Sequence, residues 1–226
     1  MRRLNGAGPY TWSMRLRAQF LLSAFAAGQF PTAAKTGGAP EVAFLGRSNV
    51  GKSSLINALL SETQARVSST PGRTRSINFF GLYEEAASGK VKALPSLVFA
   101  DLPGYGYAKI SKSISAEWPA FIDPYLAERP ELKLCCCLVD TNIPPQASDG
   151  QLIDFLREVG REFVVIGTKS DRLSSNALAK SVAALKREHG VEAVIPCSAK
   201  LGKQDKGLRQ LWERLLALQG SSAELG

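Results

Sequence analysis

Gly46-Arg47-Ser48-Asn49-Val50-Gly51-Lys52-Ser53 is the stretch that decides the fold of this 226-residue chain. It fits the pattern G-x-x-x-x-G-K-[ST], and it lies between a short apolar run at residues 41–45 and a helical pattern at residues 52–60. Glycines in such a loop let backbone N–H groups close around phosphate, and the following helix adds the favourable dipole of its N-terminus. The stretch therefore predicts a P-loop, with Ser54 as a further phosphate contact, rather than an ordinary glycine turn.

Two side chains of the loop have separate tasks in this prediction. Lys52 reaches the β and γ oxygens of a bound nucleotide, and the Ser53 hydroxyl ligates magnesium. Both tasks depend on the loop standing between a strand and a helix, which is the context that the flanking residues provide.

Apolar runs and helical patterns alternate through the rest of the chain. Residues 77–83 and 93–100 predict an antiparallel hairpin. After it we expect helices near residues 116–128, 149–159, 176–189 and 207–219, and strands at residues 133–139, 163–167 and 193–197. This alternation predicts an α/β protein with the three-layer P-loop NTPase fold: a mostly parallel six-stranded sheet with one antiparallel strand and helices on both faces.

The chain is expected to form one main domain. We assign residues 17–220 to a single P-loop nucleotide-binding domain, preceded by an extension at residues 1–16 and followed by a tail at residues 221–226. The Gly-, Ala- and Pro-rich residues 33–40 connect an N-terminal strand or arm to the rest of the domain. Met14 is a second plausible start, in which case residues 1–13 are absent from the natural protein.

A second motif, Asp101-Leu102-Pro103-Gly104, follows the apolar residues 97–100. Ligands of open α/β sheets bind at the carboxyl ends of the strands, so the motif is expected beside the P-loop. There Asp101 would hold magnesium through water, and the Gly104 N–H would meet the γ-phosphate. Asp-x-x-Gly alone is usually a plain turn, and its position one hairpin after the P-loop is what favours a functional role.

Thr168-Lys169-Ser170-Asp171 follows the predicted strand at residues 163–167 and selects the base. The Asp171 carboxylate can accept hydrogen bonds from both N1–H and the 2-amino group of guanine, which adenine does not offer. Ser198 and Ala199, directly after Cys197, would complete the base pocket with backbone donors to guanine O6. The predicted ligands are therefore GTP and GDP rather than ATP.

Thr70-Pro71-Gly72-Arg73-Thr74-Arg75 lies between the first helix and the hairpin. A mobile loop there can bring the Thr74 hydroxyl to magnesium and sense the γ-phosphate. Gly72 and Arg73 are included as nucleotide contacts, although arginines in such a loop are more often exposed charges than catalytic groups. An ordinary solvated turn is the alternative interpretation.

The formal net charge of +8 is unevenly placed, because residues 1–40 contribute five basic residues and no acid. Such a surplus attracts polyanions such as nucleic acid, or it serves solubility alone. No stretch approaches the roughly 18 apolar residues that span a bilayer, so we expect no stable membrane association.

Three of the four cysteines are consecutive, at Cys135, Cys136 and Cys137, without the spacing of a metal site. They lie in an apolar run, where cysteine acts as a small hydrophobe in a buried strand, and unpaired thiols suit a reducing cytosol. His189 precedes Gly190 at a predicted helix end, and we expect it at the surface.

The extended string from Pro40 to Asn57 resembles the EngB family of bacterial GTP-binding proteins, also called YihA or YsxC. The likeness covers about residues 17–218. Further similar strings, in the same order, are Thr70-Pro71-Gly72-Arg73-Thr74, Asn78-Phe79-Phe80, Asp101-Leu102-Pro103-Gly104-Tyr105-Gly106-Tyr107-Ala108 and Pro144-Pro145. One departure is Asp140-Thr141-Asn142, where the family commonly carries an arginine.

The resemblance implies a cytoplasmic GTPase that assists assembly of the large ribosomal subunit and is linked to cell division and septation. Its partner would be ribosomal RNA or a subunit precursor, and we expect the protein itself to be a monomer. The resemblance also implies that Asn49 helps hold a potassium ion against the phosphates; the alternative is that Asn49 stabilises the loop through its own backbone. The expected catalytic residues are Lys52, Thr74, Gly104 and Asn49.

Tyr105 stands directly after Asp-x-x-Gly, where many GTPases place a glutamine that orients the attacking water. We therefore expect slow intrinsic turnover. Two other functional classes are weighed against a GTPase. A P-loop kinase using ATP would lack the motif that ends in Asp171, and an RNA- or membrane-binding module with a decayed pocket would not keep Lys52, Ser53 and Asp101 as well.

Overall fold

The structure is a computed structural model that describes residues 15–60, 76–105 and 120–219. One sheet of seven strands runs through these ranges in the order β1-β3-β4-β2-β5-β6-β7. The strands are β1 (Arg15–Ala24), β2 (Glu41–Gly46), β3 (Ile77–Glu85), β4 (Leu97–Asp101), β5 (Leu132–Asp140), β6 (Phe163–Thr168) and β7 (Val194–Pro196).

Six α-helices accompany the sheet in the described ranges. They are α1 (Ala33–Thr36), α2 (Lys52–Leu60), α3 (Ile122–Glu128), α4 (Ala147–Glu158), α5 (Ser175–His189) and α6 (Lys206–Ala217). Short 3-10 turns occur at Ala27–Gln29, Ser170–Arg172 and Gly202–Gln204. Within the described ranges, no helix combines the length and apolarity that crossing a membrane requires.

Strand direction follows the predicted fold class. β3 pairs antiparallel with both β1 and β4, whereas the pairs β4–β2, β2–β5, β5–β6 and β6–β7 are parallel. The predicted α/β fold with one reversed strand is confirmed. The sheet has seven strands instead of the predicted six, because β1 adds to the edge beside β3.

Two apolar layers cover the two faces of the sheet. Val42 and Phe44 of β2 lie in the layer shared with α2 and α6, and the alternating Ala43 and Leu45 lie in the layer shared with α3, α4 and α5. This alternation is what a strand covered on both faces requires. Since both faces are occupied, ligands have access to the sheet at its carboxyl edge, where β2 leads into the P-loop.

The cysteine run behaves as predicted. All four cysteines of the chain lie in the described part, and all are buried free thiols. Cys136 faces one apolar layer while Cys135 and Cys137 face the other, and burial raises the pKa of the Cys135 thiol to about 12. Cys135, Cys136 and Cys137 are inert packing residues of the central strand β5.

The prediction that His189 lies at the surface is wrong. Gly190 does cap α5 in the left-handed conformation, with φ of 58°. His189 itself is only 5% exposed, and burial lowers its pKa. The cause is tertiary, because the last turn of α5 packs against α4, where Arg157 donates hydrogen bonds to the carbonyls of His189 (3.0 Å) and Gly190 (2.6 Å).

Candidate nucleotide-binding site

The P-loop joins β2, which ends at Gly46, to α2, which begins at Lys52. Gly51 has φ of 103°, a conformation that L side chains rarely adopt, and Asn49 has φ of 66°. A Cβ on Gly46 would come within 2.8 Å of Val50 Cγ1. The loop is thus a tight turn that depends on glycine at both ends and on the tolerance of asparagine for positive φ.

Lys52 and Asp101 meet at the carboxyl edge of the sheet. Asp101 is the last residue of β4, which runs parallel to β2 with Phe44 opposite Asp101. The Lys52 ammonium group donates a hydrogen bond to Asp101 Oδ1, and both side chains are largely buried. The first two motifs therefore share one ion pair.

The loop after Asp101 is packed against the P-loop. Ser48 N–H donates to the Tyr105 carbonyl at 2.9 Å, and a Cβ on Gly104 would come within 3.0 Å of Ser48 Oγ and 3.1 Å of Ser48 N. Leu102 is fully buried and its N–H donates to the Phe44 carbonyl, so its side chain belongs to the core. Glycine at position 104 is what permits this close approach.

Thr168 and Lys169 connect the base motif to the P-loop. The Thr168 hydroxyl donates to the Val50 carbonyl at 2.6 Å. Lys169, in the left-handed conformation with φ of 59°, donates from Nζ to the Asn49 carbonyl at 2.8 Å. Two loops that lie 120 residues apart in sequence are thus held together by side-chain hydrogen bonds.

Asp171 and Ser198 form the outer part of the base region. Ser198 Oγ donates to Asp171 Oδ1 at 2.7 Å, and the Ser170 N–H donates to the Cys197 carbonyl at 3.2 Å. Cys197 is fully buried, so its side chain packs in the core. The carboxylate of Asp171 is oriented by a neighbouring hydroxyl from the loop that follows β7.

Asp140-Thr141-Asn142, the segment that departs from the family pattern, also touches the base motif. Asp140 Oδ2 accepts from Lys169 Nζ at 2.6 Å, and Asn142 Nδ2 donates to the Lys169 carbonyl at 3.1 Å. Burial disfavours the ionised form of Asp140, but hydrogen bonds from Lys169 and Asn142 outweigh it and lower its pKa. These contacts were not predicted, because nothing in the sequence says which loop lies beside Lys169.

Three predicted residues lie outside the described ranges, namely Gly72, Arg73 and Thr74. Among the described ones, the structure brings the P-loop, the Asp101–Gly104 loop, the Thr168–Asp171 loop and the Cys197–Ala199 loop to one edge of the sheet. Within the P-loop, Ser53 is half-buried and Ser54 is exposed, at the start of α2.

Comparison with known proteins supports a guanine-nucleotide site. Residues 41–169 match a protein family described as "50S ribosome-binding GTPase". A probable GTP-binding protein EngB from Acidobacterium capsulatum is 56% identical over 211 residues, which is 93% of this chain and 95% of that protein. Its counterpart from Koribacter versatilis is 53% identical over 210 residues, covering 93% and 98%.

Solved structures share the fold. The crystal structure of a probable GTP-binding protein EngB aligns with a TM-score of 0.56 and 23% identity, covering 80% of this chain and 99% of that one. Era in complex with MgGDPNP and nucleotides 1506–1542 of 16S ribosomal RNA aligns with a TM-score of 0.58 and 20% identity, covering 80% and 56%.

Proposed function

The chain belongs to the EngB family of GTP-binding proteins and is a GTPase, and from that premise we propose that it acts as a GTP-dependent switch in assembly of the large ribosomal subunit. The observation that carries the proposal is the match of residues 41–169 to a family described as 50S ribosome-binding GTPases. That range holds the P-loop, Asp101 and Lys169, so the matched part contains most of the candidate site, while Asp171 and Ser198 lie beyond it.

We propose that the four loops divide the work on the nucleotide. The P-loop backbone and Lys52 bind the phosphates, Gly104 N–H contacts the γ-phosphate, and Asp171 reads the guanine. Support comes from the hydrogen bonds of Thr168 and Lys169 to P-loop carbonyls, which fix the base region relative to the phosphate region. Bringing reacting groups into fixed positions is most of what a protein contributes to phosphoryl transfer.

We propose magnesium as the metal of this site. Hydroxyl and carboxylate oxygens are the donors that Mg²⁺ prefers, and Ser53 at the start of α2 and Asp101 at the end of β4 supply them at neighbouring points of the sheet edge. Thr74 is the third proposed ligand. When bound, the ion neutralises charge on the β and γ phosphates.

The Asn49 side chain is proposed to help hold a potassium ion near the phosphates. It is exposed, and its φ of 66° is a left-handed conformation that asparagine tolerates better than most residues do. Tyr105 has no carboxamide to orient water, so a cation close to the β–γ bridge is a reasonable substitute for an arginine finger.

We further propose a cytoplasmic, monomeric protein whose domain comprises residues 17–220, flanked by the segments 1–16 and 221–226. β1 already begins at Arg15, two residues before this boundary. Because cells need large subunits in order to grow, loss of the protein should slow division and septation while precursors accumulate.

Co-sedimentation tests the proposed function. The full-length protein is mixed with purified large-subunit particles and precursors, with GDP or a non-hydrolysable GTP analogue, and pelleted through sucrose. We expect more protein in the pellet with the analogue, and a steep decrease with salt, as counterion release requires for a basic protein on RNA. Association that depends neither on the nucleotide nor on the salt concentration would contradict the proposal.

A further inference from the structure

The side chain of Tyr105, the residue after Gly104, is buried and bonded to α4. Tyr105 is 1% exposed, and its hydroxyl donates to Asp149 Oδ1 at 3.0 Å. Asp149 lies in the first turn of α4, and its carboxylate is almost completely buried. Tyr105, which stands where many GTPases carry the water-orienting glutamine, is therefore hydrogen-bonded to the first turn of α4.

The same carboxylate oxygen also meets the P-loop. Arg47 Nε lies 3.5 Å from Asp149 Oδ1, an ion-pair distance, and the Arg47 side chain is mostly buried. Arg47 also bridges Tyr105 through the backbone, in a parallel β-bridge. Asp149 thus touches both the P-loop and the loop that carries Gly104, and it does so from an element that the proposed nucleotide contacts do not use.

We infer that Asp149 is a positioning residue, which holds Tyr105 against Arg47 and thereby sets the distance of Gly104 from the P-loop. The inference rests on the proposed contact between Gly104 N–H and the γ-phosphate. Gly104 directly precedes the anchored Tyr105, which leaves the glycine little freedom, and a Cβ at position 104 would come within 3.0 Å of Ser48 Oγ. Through Asp149, Tyr105 and Gly104, the position of α4 would influence the contact with the γ-phosphate.

The charge states of the cluster suit this task. Burial, and next the charge of Asp149, raise the pKa of the Tyr105 hydroxyl well above its usual value, so the hydroxyl keeps its proton and acts as donor. Burial raises the pKa of Asp149 to about 6, with Arg47 and the bond from Tyr105 opposing it. Near neutral pH the carboxylate is ionised and attracts Arg47, and below pH 6 this attraction is lost.

Other titratable or charged groups face Asp149 from the elements around it. Cys137 and Asp140 of β5 lie near it, and His189 of α5 packs next to Gly150, the residue after Asp149. Cys137 stays protonated because burial raises its pKa well above its usual value, and the pKa of Asp140 is lowered, so neither changes charge near pH 6. His189 has a lowered pKa and needs its own control.

Single-turnover GTP hydrolysis by the full-length protein tests the inference. Tyr105→Phe removes only the hydroxyl and should lower the rate constant about tenfold, the effect of losing a charged hydrogen bond, while Kd for GDP stays within about twofold. Asp149→Asn keeps an oxygen acceptor, so it should reduce the rate less and abolish the inflection near pH 6 that is expected for the wild type. Asp154→Asn makes the same change on the exposed side of α4 and should behave as the wild type.

Three outcomes overturn the inference: an unchanged rate for Tyr105→Phe between pH 5 and 8, an inflection that survives in Asp149→Asn, or loss of GDP binding in parallel with hydrolysis. His189→Gln identifies an inflection that belongs to the histidine. Gly104→Ala distinguishes a failure of the proposed γ-phosphate contact from a failure of the coupling through Asp149. Alanine keeps the backbone N–H, but its Cβ would come within 3.0 Å of Ser48 Oγ and so displace that N–H. Normal hydrolysis by Gly104→Ala would therefore contradict the proposed γ-phosphate contact, whereas a defect in Gly104→Ala alone refutes only the coupling through Asp149.

Discussion

At the residue scale, the proposed recognition of guanine depends on one carboxylate. Asp171 accepts from Ser198 Oγ, which leaves Oδ2 and a lone pair of Oδ1 for a ligand. Asp171 is exposed in the structure, and the adenine of ATP has no paired donors to offer its carboxylate. Preference for GTP over ATP is therefore expected to come from the two hydrogen bonds that guanine makes with this carboxylate and adenine does not.

Asp171→Asn should weaken GTP binding by about 2–4 kcal/mol and improve the affinity for xanthosine triphosphate relative to GTP, because a carboxamide can donate to the 2-oxo group of xanthine. Titration calorimetry with GTP, XTP and ATP measures this directly. Ser198→Ala, which removes the hydroxyl but keeps the carboxylate, is the matched control and should retain the order GTP over XTP. Equal affinity of the wild type for ATP and GTP would refute the base assignment.

A substitution of Asn49 tests the potassium proposal, and the positive φ of Asn49 decides which substitution to use. At φ of 66°, alanine would add strain of about 1 kcal/mol to the loss of the carboxamide, whereas glycine adopts this conformation freely. We expect potassium to accelerate hydrolysis more than sodium does, and Asn49→Gly to remove the difference while sparing GDP affinity. Steady-state turnover in matched potassium and sodium buffers, with magnesium saturating, decides between a cation ligand and a residue that only shapes the loop.

The buried carboxyl group of Asp149 should also affect how the free energy of unfolding depends on pH. Its pKa is about 6 when folded and near 3.8 when unfolded, so the folded state binds the proton more tightly, and the stabilisation this gives is lost as pH rises through 6. Between pH 5 and pH 8 the wild type should lose about 1–2 kcal/mol of unfolding free energy relative to Asp149→Asn. Urea denaturation of both proteins at the two pH values measures it, and identical pH dependence would contradict the burial of a charged carboxylate.

At the element scale, replacing glycine by alanine at two helix positions should have opposite effects on stability. A Cβ on Gly207, in the first turn of α6, would lie 1.9 Å from the Pro196 carbonyl oxygen, and a Cβ on Gly150 in α4 would lie 3.4 Å from His189 Nδ1. Gly207→Ala must therefore push α6 away from β7, whereas Gly150→Ala fits its surroundings.

We expect Gly207→Ala to lower the unfolding free energy by about 3 kcal/mol, as overpacking against backbone does, and Gly150→Ala to raise it by about 0.5–1 kcal/mol through helix propensity. Thermal or urea unfolding of the two variants measures the contrast. A neutral Gly207→Ala would show that α6 does not pack on β7 as closely as described.

The elements themselves were largely predictable because both periodicities are strong in the sequence. β2, α2, the hairpin of β3 and β4, and β6 begin and end within four residues of the predicted bounds. β1 was foreseen only as a strand or arm, since an edge strand is buried on one side and leaves Phe20 exposed by 53%. The burial of His189 and the contacts of Asp140 and Asp149 depend on which elements pack together, which local patterns do not contain.

At the scale of the whole molecule, the sheet brings distant loops to one edge, and the Asp101–Tyr105 and Thr168–Asp171 loops are each bonded to the P-loop. Lys52 binds Asp101, Tyr105 binds Ser48, and Thr168 binds the Val50 carbonyl. A ligand that moves any of these loops must move the P-loop contacts with it. That arrangement suits a protein whose partner binding depends on the nucleotide.

One measurement tests the central claim, that guanine nucleotide in this site controls binding to large-subunit particles. In co-sedimentation with such particles, the Asp171→Asn protein should pellet with a non-hydrolysable XTP analogue and fail to do so with the GTP analogue at the same concentration, while the wild type shows the reverse. This reversal of nucleotide preference is expected if nucleotide binding in the base pocket controls association with the particles. Pelleting of both proteins to equal extents with either analogue, or with neither, would contradict the account.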